Sequence, residues 1–337
     1  MEAARAKLEA AFSSFGQFER YASHAARVRV IAGDLALPRL GLSHDEWDQL
    51  GISVDGILHA AAATNFLDDY EVLRPANVLG THTLLHLAQY GGQVRPFHYV
   101  SSAHVLYDPT DASRCHHERD PAEANQALRT GYQRSKWIAE RLVVGARQKG
   151  IPIAIYRPAW IEGHSRTGVF NRRDFVCNML RACAAVEAAP VLDLMLNFTP
   201  VDYTANAIAL LARENCLAAP HTWHIVDPHP TLSWNDHIDA LERAGFRIDR
   251  LSCDDWRQRA AGPEGKASGL GPWLAVLDEF ANAARAGASL GLPWLEATET
   301  QAALAGTTAE WSPLRQEMLD RYVHAFVRDG FIPGVSR

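Results

Sequence analysis

Lysine is scarce in this sequence. Only Lys7, Lys136, Lys149 and Lys266 occur, so arginine carries most of the basic charge. The net charge is −6 with no long block of one sign, which gives no pull toward nucleic acid or an anionic membrane. Five cysteines, Cys115, Cys177, Cys183, Cys216 and Cys253, form no C-x-x-C pair and no metal spacing. An odd, scattered set argues against a disulfide framework and fits a reduced, cytoplasmic protein. The histidines, including the adjacent His116 and His117, gather no second ligand cluster, so no metal site is expected. No apolar run reaches the roughly 18 residues of a membrane span. The first residues, Met1 to Arg5, lack the apolar core of a secretion signal. A glycine-rich turn ahead of the first strand-like run is also missing.

What is there suits a globular α/β protein. Hydrophobic residues make up 47% of the chain and charged residues 21%, enough for a substantial core. Residues 3–15 read as an amphipathic helix, and Val28 to Ile31 as a strand ending at Gly33-Asp34-Leu35. Residues 56–59 form a second expected strand, running into the small-residue segment Ala60 to Ala63. A helix over 77–90 stops at Gly91-Gly92, a third strand spans 97–100 and ends at Ser101-Ser102, and a helix spans 131–148. A fourth strand over 153–156 ends at Arg157-Pro158. Short apolar strands alternating with helices predict βαβ units and a doubly wound parallel sheet of Rossmann-like type. Beyond Ile161 the pattern loosens into helices over 172–185, 203–213, 233–244 and 314–327, with a late strand over 223–226. Residues 262–271, which contain Gly and Pro, read as a loop. The expected division is a core over 1–165 and a smaller, mainly helical lobe over 166–337 that returns to the core near 199–230.

The chemical signal is Tyr132-Gln133-Arg134-Ser135-Lys136. Tyr and Lys four apart on a helix share a face. A neighbouring ammonium is expected to lower the phenol pKa and prepare Tyr132 for proton transfer. Ser102, at the end of the preceding strand, is placed to hydrogen-bond the same substrate oxygen. Ser–Tyr–Lys is the protein half of a hydride-transfer site, in which a cofactor supplies the hydride. With nine tyrosines and few lysines, chance gives only about a tenth of a Y-x-x-x-K match in such a chain. The strand, Ser-Ser, helix and Arg-Pro strand around it supply the context the motif needs.

The order of motifs resembles the extended short-chain dehydrogenase/reductases. More narrowly, it resembles the thioester reductase domains that terminate nonribosomal peptide and polyketide assembly lines, and the matching domain of carboxylic acid reductases. The resemblance rests on Gly33-Asp34-Leu35, on His59 to Phe66, on Asn77-Val78-Leu79-Gly80-Thr81 and on His98 to Ser101. It continues through Gly131 to Trp137, Tyr156-Arg157-Pro158, Gly163 to Gly168, Thr199 to Tyr203 and the closing 321–331 segment. The stretches Gly163 to Gly168 and Thr199 to Tyr203 are the most specific to that family.

The resemblance implies NADPH as cofactor and, as partner, an acyl or peptidyl carrier protein with a phosphopantetheine-linked substrate. It implies Ser102, Tyr132 and Lys136 as the catalytic set. Asp34, Leu35, Ala61, Ala62, Ala63, Asn77, Lys136, Pro158 and Ile161 are the implied cofactor-binding residues, and Ala103, His104, His164 and Arg166 the implied substrate contacts. The implied reaction reduces the thioester to an aldehyde, with a second step to the alcohol open. Two alternatives stay beside it: a redox-silent domain that releases the thioester by condensation or only binds the carrier, and another extended short-chain reductase acting on a free acyl thioester or a sugar nucleotide. The family's opening strand and Gly-x-x-Gly-x-x-Gly turn, which hold the cofactor pyrophosphate, have no counterpart before Val28. The expectation is therefore a core truncated at its N-terminus, with three explanations beside one another: a fragment of an active reductase, a site completed by a separate chain or segment, or a domain that has lost redox function.

Overall fold

The computed structural model describes residues 2–107, 114–123, 128, 130–214, 221–269 and 294–334. Cys216, and the end of the predicted 262–271 loop, lie outside them. The framework is a four-stranded, all-parallel sheet. Its order is β1 (Ile57–His59), β2 (Phe97–Val100), β4 (Ile153–Pro158) and β8 (His221–Ile225). β2 and β4 read as near-continuous apolar runs because helices cover both faces. Phe97, Tyr99, Ile153 and Ile155 are buried against Leu85 and Ala88 of helix α5 (Gly80–Ala88) and Ala139 and Val143 of helix α6 (Gly131–Gln148).

Helix α6 begins where the sequence says it should. Thr130 and Gln133 form a capping box: the Gln133 amide donates to the Thr130 hydroxyl, and the Thr130 amide donates to the Gln133 side chain, both at 3.1 Å. Gly131 is required by its neighbours, since a Cβ there would lie 2.5 Å from the backbone nitrogen of Tyr70. Buried and half-buried polar residues of α6 then reach one strand after another. Lys136 meets the end of β2. Glu140 accepts from Ser101 and pairs with Arg157 of β4 at 2.7 Å, and Arg147 donates to the His221 carbonyl of β8 at 2.8 Å. Glu140 and Arg157 are both buried, so each depends on the other for charge compensation.

The second part of the chain is mainly helical. Helices α7 (Phe175–Val186), α9 (Trp234–Arg243) and α13 (Gln316–Arg328) enclose the largest apolar cluster, which includes Met179, Phe198, Ile238, Trp256 and Phe326. One segment crosses back to the sheet side. Strand β10 (Trp294–Leu295) pairs with β3 (Cys115–His116), and helix α12 (Thr298–Leu304) follows. The buried Glu118 accepts from the amides of His224 (3.2 Å), Glu299 (2.6 Å) and Thr300 (3.1 Å) and from the Thr300 hydroxyl.

Three expectations are corrected. Val28 to Ile31 is not a strand: it pairs with no strand among the described residues, and Ile31 is 40% exposed. Strand structure is fixed by a neighbour's ladder rather than by the segment itself. Second, residues 262–271 are not all loop. Pro263–Ala267 is a short helix with Pro at its first position, where the missing N–H costs no hydrogen bond. Third, the helix expected over 77–90 is α5 preceded by a π-type turn, Pro75–Leu79, that continues helix α4 (Tyr70–Arg74).

Candidate active site

The residues singled out by the sequence converge at the C-terminal ends of β1, β2 and β4. Ser102 leaves β2 and starts a turn, Ala103–Leu106, whose His104 amide donates to the Ser102 hydroxyl at 3.3 Å. Tyr132, in the first turn of α6, has its phenol beside the Ser102 hydroxyl, which favours the ionised form of the phenol. Two groups able to donate a proton or hydrogen bond thus meet from separate elements. The Tyr132 ring lies 4.8 Å from that of Phe66, which stacks on Trp160 at 5.8 Å and 12°. His104 closes the group, 5.9 Å from Phe66 and 5.8 Å from Trp160. Phe66 stood in a recognised segment without a role, and Trp160 stood in none. Only the fold brings these rings together.

Electrostatically the site differs from the sequence expectation. Burial pushes the Tyr132 phenol up to about 12, and the Ser102 hydrogen bond offsets only part of that. Burial also brings Lys136 down to about 7, against the Glu140 carboxylate, which favours its charged form. The Lys136 ammonium donates to the Val100 carbonyl at 2.7 Å and sits 4.3 Å from the centre of the Tyr99 ring. The Tyr132 phenol is therefore neutral at pH 7, and Lys136 is not among the groups that shift it.

The other predicted residues divide. Ala63 and Asn77 are joined: the Ala63 amide donates to the Asn77 side-chain oxygen (2.7 Å), and the Asn77 amide donates to the Ala63 carbonyl and to the Ser135 hydroxyl (both 2.9 Å). Asn77 is 2% exposed, so its carboxamide is spent within the protein. Asn77 thereby clasps the turn after β1 to α6. Ala61 is exposed and Ala62 partly so, which leaves backbone open on the turn. Asp34 is exposed, and its carboxylate accepts from the Ala36 amide at 2.8 Å. Leu35 lies against Gly80, where a Cβ would come 2.9 Å from the Leu35 carbonyl. Pro158 is buried at the β4–β8 ladder, and Ile161, on β5 (Trp160–Glu162), is exposed. Ala103, an expected substrate contact, is fully buried in an apolar cluster with Ala159 and Val226. His164 and Arg166 lie on a loop rather than among the rings. Ser165 donates to Asp202 from its amide (2.8 Å) and its hydroxyl (2.7 Å), while the Arg166 side chain is exposed. The two most family-specific stretches thus meet each other, through Asp202.

The sequence matches the NAD-binding family described as male sterility protein over residues 1–208. The terminal R domain from the myxalamid PKS-NRPS biosynthetic pathway has a TM-score of 0.84 with this chain at 31% identity, covering 100% of this chain and 84% of that one. The chain belongs to the male sterility protein family of reductase domains. The reductase (R) domain of a nonribosomal peptide synthetase from Mycobacterium tuberculosis aligns with this reductase domain at TM-score 0.78 and 25% identity, over 98% of this chain and 83% of that one. A linear gramicidin synthase component of Brevibacillus parabrevis is 35% identical over 235 residues, 69% of this chain but 5% of that protein. The L-2-aminoadipate reductase large subunit of Penicillium chrysogenum is 31% identical over 68% of this chain and 17% of its own length. The reductase domain thus spans a small part of these curated relatives. It is an oxidoreductase domain of nicotinamide-cofactor type. Among its described residues no helix is long and apolar enough to cross a membrane, and no cluster of three metal-ligating side chains occurs.

Proposed function

We propose that this chain reduces a thioester carried on the phosphopantetheine arm of an acyl or peptidyl carrier protein, with NADPH as reductant, and releases an aldehyde. The observation that carries the reading is the gathering of Tyr132 and Ser102 around His104, with the Tyr132 ring against Phe66. The residues present fit the nicotinamide and ribose half of the cofactor. Open backbone at Ala61 and Ala62 admits close approach, and Lys136 offers an ammonium to a ribose hydroxyl. Pro158, Ile161, Asp34 and Leu35 complete the proposed contacts. When bound, the cofactor supplies a hydride to the thioester carbonyl carbon.

The chain's own part is proton handling and positioning. Tyr132, protonated at pH 7, gives its proton to the carbonyl oxygen as negative charge develops there. Ser102 donates a hydrogen bond to the same oxygen. The resulting hemithioacetal loses its C–S bond, so that the carbon becomes an aldehyde and the sulfur leaves as the carrier thiol with a proton. Solvent returns the proton to Tyr132. The rings of Phe66, His104 and Trp160 keep water from the reacting carbonyl.

The test is incubation of the chain with an acyl-loaded carrier protein and NADPH. Loss of 340 nm absorbance should match free carrier thiol and hydrazone-trapped aldehyde one for one. NADH in place of NADPH should be poorer. Thiol release without NADPH oxidation would replace reduction by hydrolysis or condensation. No release by a folded chain that binds NADPH would remove the carrier thioester as substrate.

A further inference from the structure

Ser102 is held by a neighbour to which the proposed chemistry gives only a water-excluding part. His104 Nδ1 lies 3.1 Å from the Ser102 hydroxyl oxygen, which also accepts the His104 backbone N–H. The imidazole is 7% exposed, and the Phe66, Tyr132 and Trp160 rings stand around it with centroids 5.8 to 6.4 Å away. Burial takes it down to about 4, so it is neutral at pH 7 and carries one ring proton.

A serine hydroxyl has one hydrogen to give and two lone pairs. The His104 amide takes one lone pair. If Nδ1 is bare, it takes the hydroxyl hydrogen, and Ser102 has nothing left to donate to a substrate oxygen. If Nδ1 carries the proton, it fills the second lone pair, and the hydrogen remains, directed at the Tyr132 oxygen until a substrate oxygen takes its place beside both groups. We propose that His104 is the positioning residue of Ser102: its Nδ1–H donates to the Ser102 oxygen and leaves the Ser102 hydrogen free for the developing oxyanion. The inference rests on the reductive reading above and adds to it a residue that acts through Ser102 without touching the reacting atoms.

Two measurements test it. In 15N-histidine-labelled protein, the His104 signal, assigned by its loss in His104→Phe, should show the Nδ1–H tautomer near pH 7 and shift in Ser102→Ala. This readout needs no turnover. In kinetics, His104→Phe keeps an aromatic ring in the box and should lower kcat roughly 10–100-fold, the scale of losing one oxyanion donor. NADPH affinity and thioester KM should stay within about twofold, and His104→Asn, which restores an N–H at that place, should recover most of the rate. Ser102→Ala/His104→Phe should be no slower than Ser102→Ala alone. An Nε2–H tautomer, or losses that multiply in the double variant, would overturn the inference. If the wild-type chain reduces no thioester, the reductive reading fails by itself, and the tautomer still decides the link between His104 and Ser102.

Discussion

Lys136 Nζ donates at 2.7 Å to the carbonyl oxygen of Val100, two residues before Ser102. The helix of Tyr132 and the strand of Ser102 are thereby joined through a buried ammonium. Its pKa of about 7 lies below the ordinary lysine value, so the unfolded chain binds this proton more tightly than the native one. The cost to stability is fully present below pH 7 and fades as pH rises toward the unfolded value. Lys136→Met should abolish reduction yet raise the melting temperature at pH 6.5 by about 2–5 °C. The gain should shrink toward pH 10. Thermal melts at the two pH values check the sign, and a variant that melts below wild type at pH 6.5 contradicts it.

The Asn77 clasp predicts a coupled loss. Asn77→Ala leaves the Ala63 amide and the Ser135 hydroxyl short of a partner in a buried place. Urea unfolding should show a loss of roughly 1–3 kcal/mol. Cofactor affinity should fall as well, because the turn after β1 is no longer tied to α6. An unchanged NADPH affinity would confine Asn77 to stability.

How much of this was legible in the sequence depends on range. Tyr132 and Lys136 fall within one helix, so a local pattern places them. Ser102 follows from the end of an apolar strand. Phe66 and Trp160 are 94 positions apart and meet only because β1 and β4 end at the same sheet edge. Val28 to Ile31 has the composition of a strand but finds no ladder, since composition does not supply a partner. Strands β5 and β7 (Phe198–Pro200), three residues each, are too short for alternation to register. The proposed effect of Lys136 on Tyr132 missed burial, which no spacing reveals.

Glu140 and Arg157 make a sharper energetic case. Arg157→Met leaves a buried carboxylate facing the Ser101 hydroxyl without its guanidinium, and should cost about 3–5 kcal/mol. Glu140→Leu/Arg157→Met should cost much less than the sum of the two single changes. Denaturant titrations of the four proteins give the coupling directly. Strict additivity would mean that the charges do not compensate each other.

Gly168 sits at φ 70°, and a Cβ there would come 2.5 Å from the Arg321 carbonyl. Gly168→Ala should cost about 1–3 kcal/mol and free the 163–168 loop from the closing helix. Faster proteolysis within the loop would show it. A variant as stable and as protease-resistant as wild type would mean that the helix shifts to accommodate the methyl.

Glu118 holds Thr300 across 182 positions of chain, with β10 and β3 laid side by side just before them. Anyone building hybrid reductases by swapping substrate lobes at the middle of the sequence would separate these partners into different parents. The heritable piece is not a half of the chain but two segments, 115–120 and 294–304, that have to travel together.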